Sequence, residues 1–159
     1  MSAGVGSHVY CWIRDFLNDR SIRVTVNGRE SSAASINAGV PQGSILGPTL
    51  FLIFINDLSQ VISSSVSMFA DDTTISAIVP NAKSRSKVAD TLCNDLLNVE
   101  TWAANWLVKF NAKKTQLMTI SRKTTKDNIQ ISFLGDTLKE YQASRHPHYK
   151  YTGLGLSCG

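Results

Sequence analysis

Two short apolar segments near the middle of the chain enclose a pair of adjacent acidic residues. Residues 66–70 and 73–79 are rich in apolar and β-branched side chains, and Asp71 and Asp72 lie between them. This pattern predicts a β-hairpin with both carboxylates at its tip, because Asp favours turns and β-branched residues favour strands. The hairpin constrains the rest of the chain, since other elements have to cover its apolar face.

Three further segments have the periodicity of helices. Residues 8–18 and 88–106 repeat apolar side chains at helical spacing, which predicts two amphipathic helices. Residues 48–61 start with a proline, which suits the first position of a helix, and they are apolar on most faces. We expect this helix in the middle of the core. The expected polar face of the 88–106 helix carries Asp90, Asn94, Asp95, Asn98 and Asn105, and its apolar stripe ends at Trp106.

The remaining periodic segments are typical of strands. Residues 22–26 alternate in polarity and are followed by Asn27-Gly28, a strong hairpin signal, so residues 30–36 supply the returning strand. Three more strands are predicted at residues 117–121, 129–133 and 149–156, the first two as a hairpin. Helices alternating with hairpins predict an α+β fold, in which the helices pack on an antiparallel sheet with the acidic hairpin at its centre.

Composition leaves the partner of the chain open. The 159 residues are 43% hydrophobic and 18% charged, a balance that suits one domain or a part of a larger one. The net charge of +4 permits a polyanionic partner without requiring one. Residues 109–126 contain six basic residues and no acidic residue. This basic segment either contacts phosphates or forms an ordinary solvated surface.

The three cysteines are far apart and contain no Cys-x-x-Cys pair, so we expect neither a zinc site nor a disulfide. A reducing compartment fits this usage. The chain has no basic start followed by an apolar run, so no signal peptide is expected. The most apolar stretch, within residues 45–58, is too short to cross a bilayer, and we expect no membrane partner.

Three local patterns are candidates for chemistry. Asp71 and Asp72 suit metal-assisted phosphoryl transfer, because Mg²⁺ binds one or two carboxylates together with substrate phosphates. Residues 39–44, here called the glycine loop, can bring backbone close to a nucleotide or a nucleic-acid strand, although they are not a P-loop. Lys114, within residues 111–115, can neutralise a phosphate or donate a proton. Taken alone, each pattern is also compatible with a plain turn.

The combination of these patterns resembles one family closely. Residues 39–58 read GVPQGSILGPTLFLIFINDL, and residues 69–73 read FADDT. This resembles the reverse transcriptases of non-long-terminal-repeat (non-LTR) retrotransposons. Group II intron enzymes share the PQG and ADD elements, whereas the LGP and FINDL forms favour the retrotransposon branch. Further segments are similar in the same order: the helix 12–20, V-x-V-N-G at 24–28, Trp102 and Trp106, FN and KT within 110–115, and the YLG-like residues 149–154.

The resemblance implies a right-hand polymerase whose palm is built around two Mg²⁺ or Mn²⁺ ions. Its partners would be an RNA template, a DNA primer and deoxynucleotides, and it would act inside the cell, in the cytoplasm or the nucleus. By resemblance, Asp71 and Asp72 are catalytic metal ligands, and Lys114 is a proton donor to the pyrophosphate. The template and nucleotide residues would be Pro41, Gln42, Gly43, Phe69 and Ala70, and the primer grip would contain Tyr151 and Gly153.

Two departures from the family pattern affect the expected activity. The other metal-binding Asp of the family lies on a palm strand upstream of the Trp12 helix, but only ten residues precede Cys11. Thr152 stands where the family has Leu. We therefore expect residues 1–159 to be a partial reverse transcriptase domain. It would contain the palm and the start of the thumb connection, without fingers or the upstream palm strand, and would be inactive alone. The alternatives are a non-catalytic nucleic-acid-binding remnant and a relic without a stable fold.

Overall fold

A computed structural model describes residues 6–120, 130–143 and 151–157 of the chain. The chain forms a first unit, residues 1–51, and a second unit, residues 52–159. The first unit begins with helix α1, Ser7–Leu17, as the periodicity predicted. None of the α1 side chains is buried by the described part of the chain.

The rest of the first unit contains two small antiparallel ribbons. Strand β1, Arg20–Ile22, pairs with β4, Ala34–Ile36, and the inner pair is β2, Thr25–Val26, with β3, Arg29–Glu30. Asn27 and Gly28 connect β2 to β3 with φ angles of 52° and 75°, which is the left-handed geometry of a tight hairpin turn. The hairpin expected from Asn27-Gly28 is confirmed, although each of its arms is interrupted.

Helix α2, Leu46–Ile55, contains the boundary between the units and continues as a 3₁₀ helix, Asn56–Val61. It starts two residues before Pro48, which is tolerated because amides in the first helical turn have no partner within the helix. The expectation of a fully buried helix is wrong. Ile55 and Leu58 are buried, whereas Leu52 and Ile53 are 52% and 61% exposed, because the described residues of the second unit cover only one side.

The second unit is built on a five-stranded sheet. Its strands are β5, Ser65–Phe69; β6, Asp72–Ile78; β7, Gln116–Ile120; β10, Glu140–Ala143; and β11, Tyr151–Ser157. Their order is β10-β7-β11-β6-β5, and every pair is antiparallel except β10 with β7. The expected hairpin of β5 and β6 forms, but it lies at one side of the sheet, and β11 occupies the centre.

The expected hairpin of residues 117–121 and 129–133 does not form. Strand β8, Ser132–Phe133, pairs instead with β9, Asp136–Thr137, in a separate ribbon. The reason is local: Leu134 and Gly135 adopt φ angles of 52° and 83°, which turn the chain back immediately after β8. Residues 121 and 129 lie outside the described residues.

Helix α3, Arg85–Trp106, contacts β6, β8 and the 3₁₀ helix, and it covers the apolar face of the sheet. Alternate side chains of β6 and β7 point into this layer, whereas their neighbours face outward. The expected apolar stripe is confirmed over most of its length, but Trp106 at its end is 48% exposed. The core of the unit contains Leu58, Ile75, Leu92, Leu96, Val99, Leu117, Ile131 and Phe133. The second unit is thus a mixed α+β layer with a mainly antiparallel sheet.

Candidate metal and nucleic-acid site

The acidic pair lies at a two-residue turn, with Asp71 in the turn and Asp72 as the first residue of β6. Phe69 pairs with Asp72 across the hairpin, so only Ala70 and Asp71 connect β5 to β6. Ala70 has a φ of 51°, a left-handed conformation that costs a residue with a Cβ about 1–2 kcal/mol. Backbone strain of this kind is concentrated at functional sites. The turn therefore fixes the positions of both carboxylates relative to the sheet.

Strand alternation directs Phe69 and Asp72 to the face of the sheet that α3 does not cover. Met68 and Thr73 form an inward-facing pair, and the next pair, Phe69 and Asp72, faces outward. Asp71 and Asp72 are exposed, and Phe69 is 84% exposed. Neither carboxylate has an ion-pair or side-chain hydrogen-bond partner among the described residues. Their oxygen atoms are thus available to a ligand.

This pair of carboxylates fits a divalent cation. Mg²⁺ is held by oxygen atoms, commonly from one or two carboxylates together with substrate phosphates and water. Asp71 and Asp72 supply carboxylates of that kind at an exposed tip. Within the described ranges, no group of three or more acidic, histidine or cysteine side chains gathers to hold a metal.

Lys114 lies in a loop whose backbone is held by its own side chains. The Asn111 side-chain oxygen accepts hydrogen bonds from the backbone amides of Lys113 and Lys114, at 3.1 and 3.3 Å. The Thr115 hydroxyl donates to the backbone carbonyl of Asn111 at 3.0 Å. Phe110 and Thr115 are buried, which anchors both ends of the loop. The two lysines between these anchors are exposed to solvent.

Sheet register brings Lys114 to the same end of the sheet as the acidic pair. Gly155 of β11 pairs with Thr74 of β6 on one side and with Gln116 of β7 on the other. Two residues further along, Asp72 lies at the end of β6, and Lys114 lies just before β7. Two strand spacings separate the in-register residues Thr74 and Gln116, which is about 10 Å. A sequence alone does not contain this proximity, because it depends on β11 lying between β6 and β7.

The expected primer-grip residues lie in the central strand. Gly153 pairs with Ser76 and Met118, and Tyr151 pairs with Ile78 and Ile120 near the other end of the sheet. Ser157, which pairs with Asp72, is six residues from Tyr151, and this separation corresponds to roughly 20 Å along an extended strand. The sheet thus places Tyr151 and the acidic pair at opposite ends of β11.

The glycine loop belongs to the first unit and is locked by a serine. The Ser44 hydroxyl donates to the Pro41 carbonyl at 2.7 Å and accepts from the Gly47 amide at 3.0 Å. A Cβ on Gly47 would lie 2.8 Å from the Pro41 carbonyl oxygen, so only glycine fits there. Gly43 has a φ of 78°, again a conformation that favours glycine. Gln42 and Gly43 are exposed, and Pro41 is half-buried.

Comparison with known proteins assigns these features to one family. A sequence model described as reverse transcriptase (RNA-dependent DNA polymerase) matches residues 2–155. The chain belongs to the reverse transcriptase family. This match and the retrotransposon relatives described next together confirm the resemblance to non-LTR retrotransposon enzymes that the motifs indicated. No solved structure matches the chain.

Several curated retrotransposon proteins are similar to this reverse transcriptase segment. The RNA-directed DNA polymerase from mobile element jockey of Drosophila melanogaster is 35% identical over 156 residues, covering 93% of this chain and 16% of the relative. The jockey polymerase of Drosophila funebris is 32% identical, covering 91% and 16%. The probable RNA-directed DNA polymerase from transposon BS of Drosophila melanogaster is 28% identical, covering 90% and 18%. The chain therefore spans about one sixth of the length of these relatives.

In this reverse transcriptase segment, the expectation that Asp95 lies on the polar face of α3 is wrong. Asp95 is 1% exposed. Its carboxylate accepts hydrogen bonds from the Ser63 amide at 2.8 Å, the Ser63 hydroxyl at 2.7 Å and the Ser64 amide at 3.0 Å. Helical spacing indicated this burial, since Asp95 follows the apolar Leu92 by three residues and precedes the apolar Val99 by four, which places all three on one face.

Asp95 is held in its charged form at the start of the acidic hairpin. Burial by itself raises the pKa of this carboxyl, but the hydrogen bonds from Ser63 and Ser64 outweigh burial and lower the pKa from its ordinary value of 3.8. Ser64 directly precedes β5, the strand that leads to Asp71. The sequence analysis missed this role of Asp95, which ties α3 to the first strand of the hairpin.

The basic segment is only partly described. Lys109, Lys113 and Lys114 are exposed, and the other three cationic side chains lie outside the described residues: Arg122, Lys123 and Lys126. Cys11 and Cys93 are free thiols, and Cys158 also lies outside. Among the described helices, none combines the length and the apolar character needed to cross a bilayer.

Proposed function

We propose that this chain is part of the palm of an RNA-directed DNA polymerase, which extends a DNA primer on an RNA template with deoxynucleotides. The observation that carries the proposal is the exposed pair Asp71 and Asp72 at the end of a hairpin whose two-residue turn is strained at Ala70, within a chain that matches the reverse transcriptase family over residues 2–155. An exposed carboxylate pair without a cationic partner makes no ion pair that would stabilise the fold, and it is free to bind a cation. The polymerase would act in the cytoplasm or the nucleus.

In this proposal each site residue has a separate task. Asp71 and Asp72 hold Mg²⁺ or Mn²⁺ through their carboxylate oxygens. Two such ions, when bound, supply the positive charge that the attacking 3′-oxygen and the leaving pyrophosphate need. Phe69 and Ala70 lie beside the primer end, because they share the tip with the carboxylates. Lys114, at the same end of the sheet, donates a proton to the pyrophosphate.

The remaining site residues position nucleic acid. Pro41, Gln42 and Gly43 line the template and the incoming nucleotide, and their support is a locked backbone that leaves Gln42 and Gly43 exposed. Tyr151 and Gly153 contribute to the primer grip. Glycine lets a phosphate backbone approach a strand closely, which suits Gly153 in the central strand.

The edge of the sheet beside the acidic hairpin suits the missing part of the palm. Among the described strands, β5 pairs only with β6, so its other side offers unpaired backbone groups next to Asp71. A palm strand from outside the described residues can pair there and bring a second metal-binding carboxylate close to the turn. In this proposal, residues 1–159 supply the palm core and the start of the thumb connection, whereas the fingers and this strand come from elsewhere.

Primer extension tests the catalytic assignment. A chimera would carry this chain in place of the matching segment of the jockey polymerase, and would be assayed on a primed RNA template with Mg²⁺ or Mn²⁺. We expect activity, and a loss of about two to three orders of magnitude in Asp71→Asn. Asp90→Asn, an exposed carboxylate on α3, is the matched control and should change little. An active chimera that tolerates Asp71→Asn would disprove the role of the acidic pair.

The chain alone should give no extension, because the described residues lack a further carboxylate for a two-metal centre. Extension by the isolated chain that disappears in Asp71→Asn would show that no further ligand is needed. The assay of the isolated chain thus distinguishes a metal site that lacks a ligand from a wrong assignment of the metal ligands.

A second candidate function is nucleic-acid binding without catalysis. Its support is the exposed pair Lys113 and Lys114 on a fixed loop. Binding through lysine and phosphate contacts would be non-specific and steeply salt dependent, and replacing both lysines with Ala should reduce the salt slope by about two. Replacing Lys83 and Lys87 with Ala removes the same charge near the start of α3 and is the control. Equal slopes for the two double variants would contradict this function for the loop.

A further inference from the structure

One arginine joins the end of a helix to the glycine loop in the first unit. The Arg20 Nε donates to the backbone carbonyl of Leu17 at 2.7 Å. One terminal nitrogen of the same guanidinium donates to the carbonyls of Ala38 and Gly39, at 3.1 and 2.6 Å. The three acceptors belong to segments that are about twenty residues apart in sequence. A planar fork of fixed donors can hold all of them at once, which a flexible ammonium does less well.

The helix side of this contact is a stable anchor. Leu17 is the last residue of α1, and carbonyls in the last turn of a helix have no partner within the helix. A cation at this end also interacts favourably with the helix dipole. Arg20 satisfies such a carbonyl while its own backbone is paired with Ile36 in the ribbon of β1 and β4. The side chain is therefore fixed before it reaches the loop.

In the glycine loop, the position of Gly39 restricts the positions of residues 41–43. Only Val40 lies between the held Gly39 carbonyl and Pro41. A residue before proline is restricted to extended conformations, and the proline ring fixes its own φ. The Pro41 carbonyl is then bound by Ser44 at the other end of the loop. Few free torsions remain between the guanidinium and the residues 41–43.

We infer that Arg20 is a positioning residue for the glycine loop: its guanidinium fixes the backbone of Ala38 and Gly39 and so orients Pro41, Gln42 and Gly43 toward template and nucleotide. The inference rests on the proposed function, in which those three residues contact substrate. Arg20 itself contacts backbone carbonyls rather than substrate. Its effect is therefore to keep the backbone of the glycine loop ordered.

Amide exchange in the full chain tests the hold of Arg20 on the loop. The reporters are the Ser44 amide, which is bonded to Pro41, and the Gly47 amide, which is bonded to Ser44. In Arg20→Ala their exchange should become about tenfold faster or more, since hydrogen bonds to a charged donor are lost. Arg23→Ala is the matched control, because Arg23 is exposed and contacts only Glu30 among the described residues, at 3.5 Å. It should leave both amides within about twofold of the original rate.

A reference amide separates loop ordering from general stability. The Ser31 amide, bonded to the Val24 carbonyl, reports the same unit at a distance in sequence from the loop. Its exchange should stay unchanged in Arg20→Ala and in Arg20→Lys, and Arg20→Lys should show intermediate exchange at Ser44 and Gly47. If all three amides accelerate together in both variants, Arg20 only stabilises the unit and the inference is wrong. Unchanged loop amides in Arg20→Ala would also overturn it.

Binding of a primed RNA–DNA hybrid at low salt tests the link to substrate. Arg20→Ala and Arg23→Ala each remove one positive charge, so general attraction to phosphates falls equally in both. A disordered loop adds an ordering cost, so Arg20→Ala should bind about two- to tenfold more weakly than Arg23→Ala. Equal affinities despite a loosened loop would overturn the positioning role and the assignment of residues 41–43. That outcome is independent of the Asp71 assay, which concerns the carboxylates alone.

Discussion

Ala70 occupies a backbone conformation that glycine adopts more easily. Its φ of 51° is unfavourable for any residue with a Cβ. Ala70→Gly should therefore raise the free energy of unfolding by about 0.5–1 kcal/mol, after the greater freedom of glycine in the unfolded chain is subtracted. Urea denaturation at equilibrium measures the change. Ala77→Gly, in the regular part of β6, is the control and should lower stability by a similar amount.

Asp95 makes a contribution to stability that depends on pH. Its folded pKa is lowered, so the contribution is complete above the ordinary value of 3.8 and is lost as the pH falls through the folded pKa. At neutral pH, Asp95→Asn should lose about 1.5–3 kcal/mol of unfolding free energy, because bonds from two amides and a hydroxyl to a charged acceptor are disrupted.

Denaturation of both proteins between pH 7 and pH 2 measures this difference. The stabilities of the original chain and of Asp95→Asn should converge at the acidic end. A difference that stays constant with pH would mean that the charge of Asp95 contributes nothing.

The sequence predicts some site residues and not others, for identifiable reasons. The position of Asp71 and Asp72 at the end of a hairpin was predictable, because two strand-like segments around an acidic turn are a local pattern. Asp95 was assigned to the wrong face, because its polarity was given more weight than its helical spacing. The position of Lys114 beside the acidic pair was not predictable, since it depends on long-range strand order. Local chemistry is visible in sequence, and proximity across a sheet is not.

Helix α3 offers a direct test of which face supports the sheet. Leu96 is 1% exposed and Leu97 is 58% exposed, although they are neighbours in the same helix. Leu96→Ala should cost about 2–5 kcal/mol, because it leaves a cavity in the core. Leu97→Ala should stay within about 0.5 kcal/mol of the original chain. Thermal or urea unfolding of the pair measures this contrast, and equal losses would contradict the packing of α3 described above.

At the scale of elements, sequence periodicity predicted whether a segment is a helix or a strand better than it predicted which strands pair. Helices α1 and α3 and the hairpin of β5 and β6 were predicted close to their observed bounds. The insertion of β11 between β6 and β7 was not, because alternation shows which face of a strand is buried but not which strand lies beside it. The partial exposure of α2 was also missed, since a helix that is apolar on all faces does not show in its sequence which face is buried.

The second unit exposes apolar side chains that we expect to promote self-association. Leu52 and Ile53 are more than half exposed, and Phe54 packs edge-on against the partly exposed Trp106, with ring centres 5.6 Å apart. Ile53→Lys should reduce concentration-dependent light scattering while changing stability by less than about 0.5 kcal/mol. Ile55→Lys, at a site only 2% exposed, should prevent folding. Unchanged scattering in Ile53→Lys would show that this surface does not drive association.

The two-residue turn at the acidic pair limits how this gene can change in length. A residue inserted between Ala70 and Asp71 would either enlarge the turn or shift the register of β5 against β6, and a shift would exchange the inner and outer faces of a strand. The connection at Pro80 and Asn81 has no strand pairing to keep in register, because it is exposed and lies between β6 and the 3₁₀ turn Ala82–Ser84. In a library of single-codon insertions selected for folded protein, insertions should be common between Pro80 and Asn81 and absent at 70–71. This hairpin is therefore a fixed-length segment, whose spacing should persist after the surrounding residues have changed.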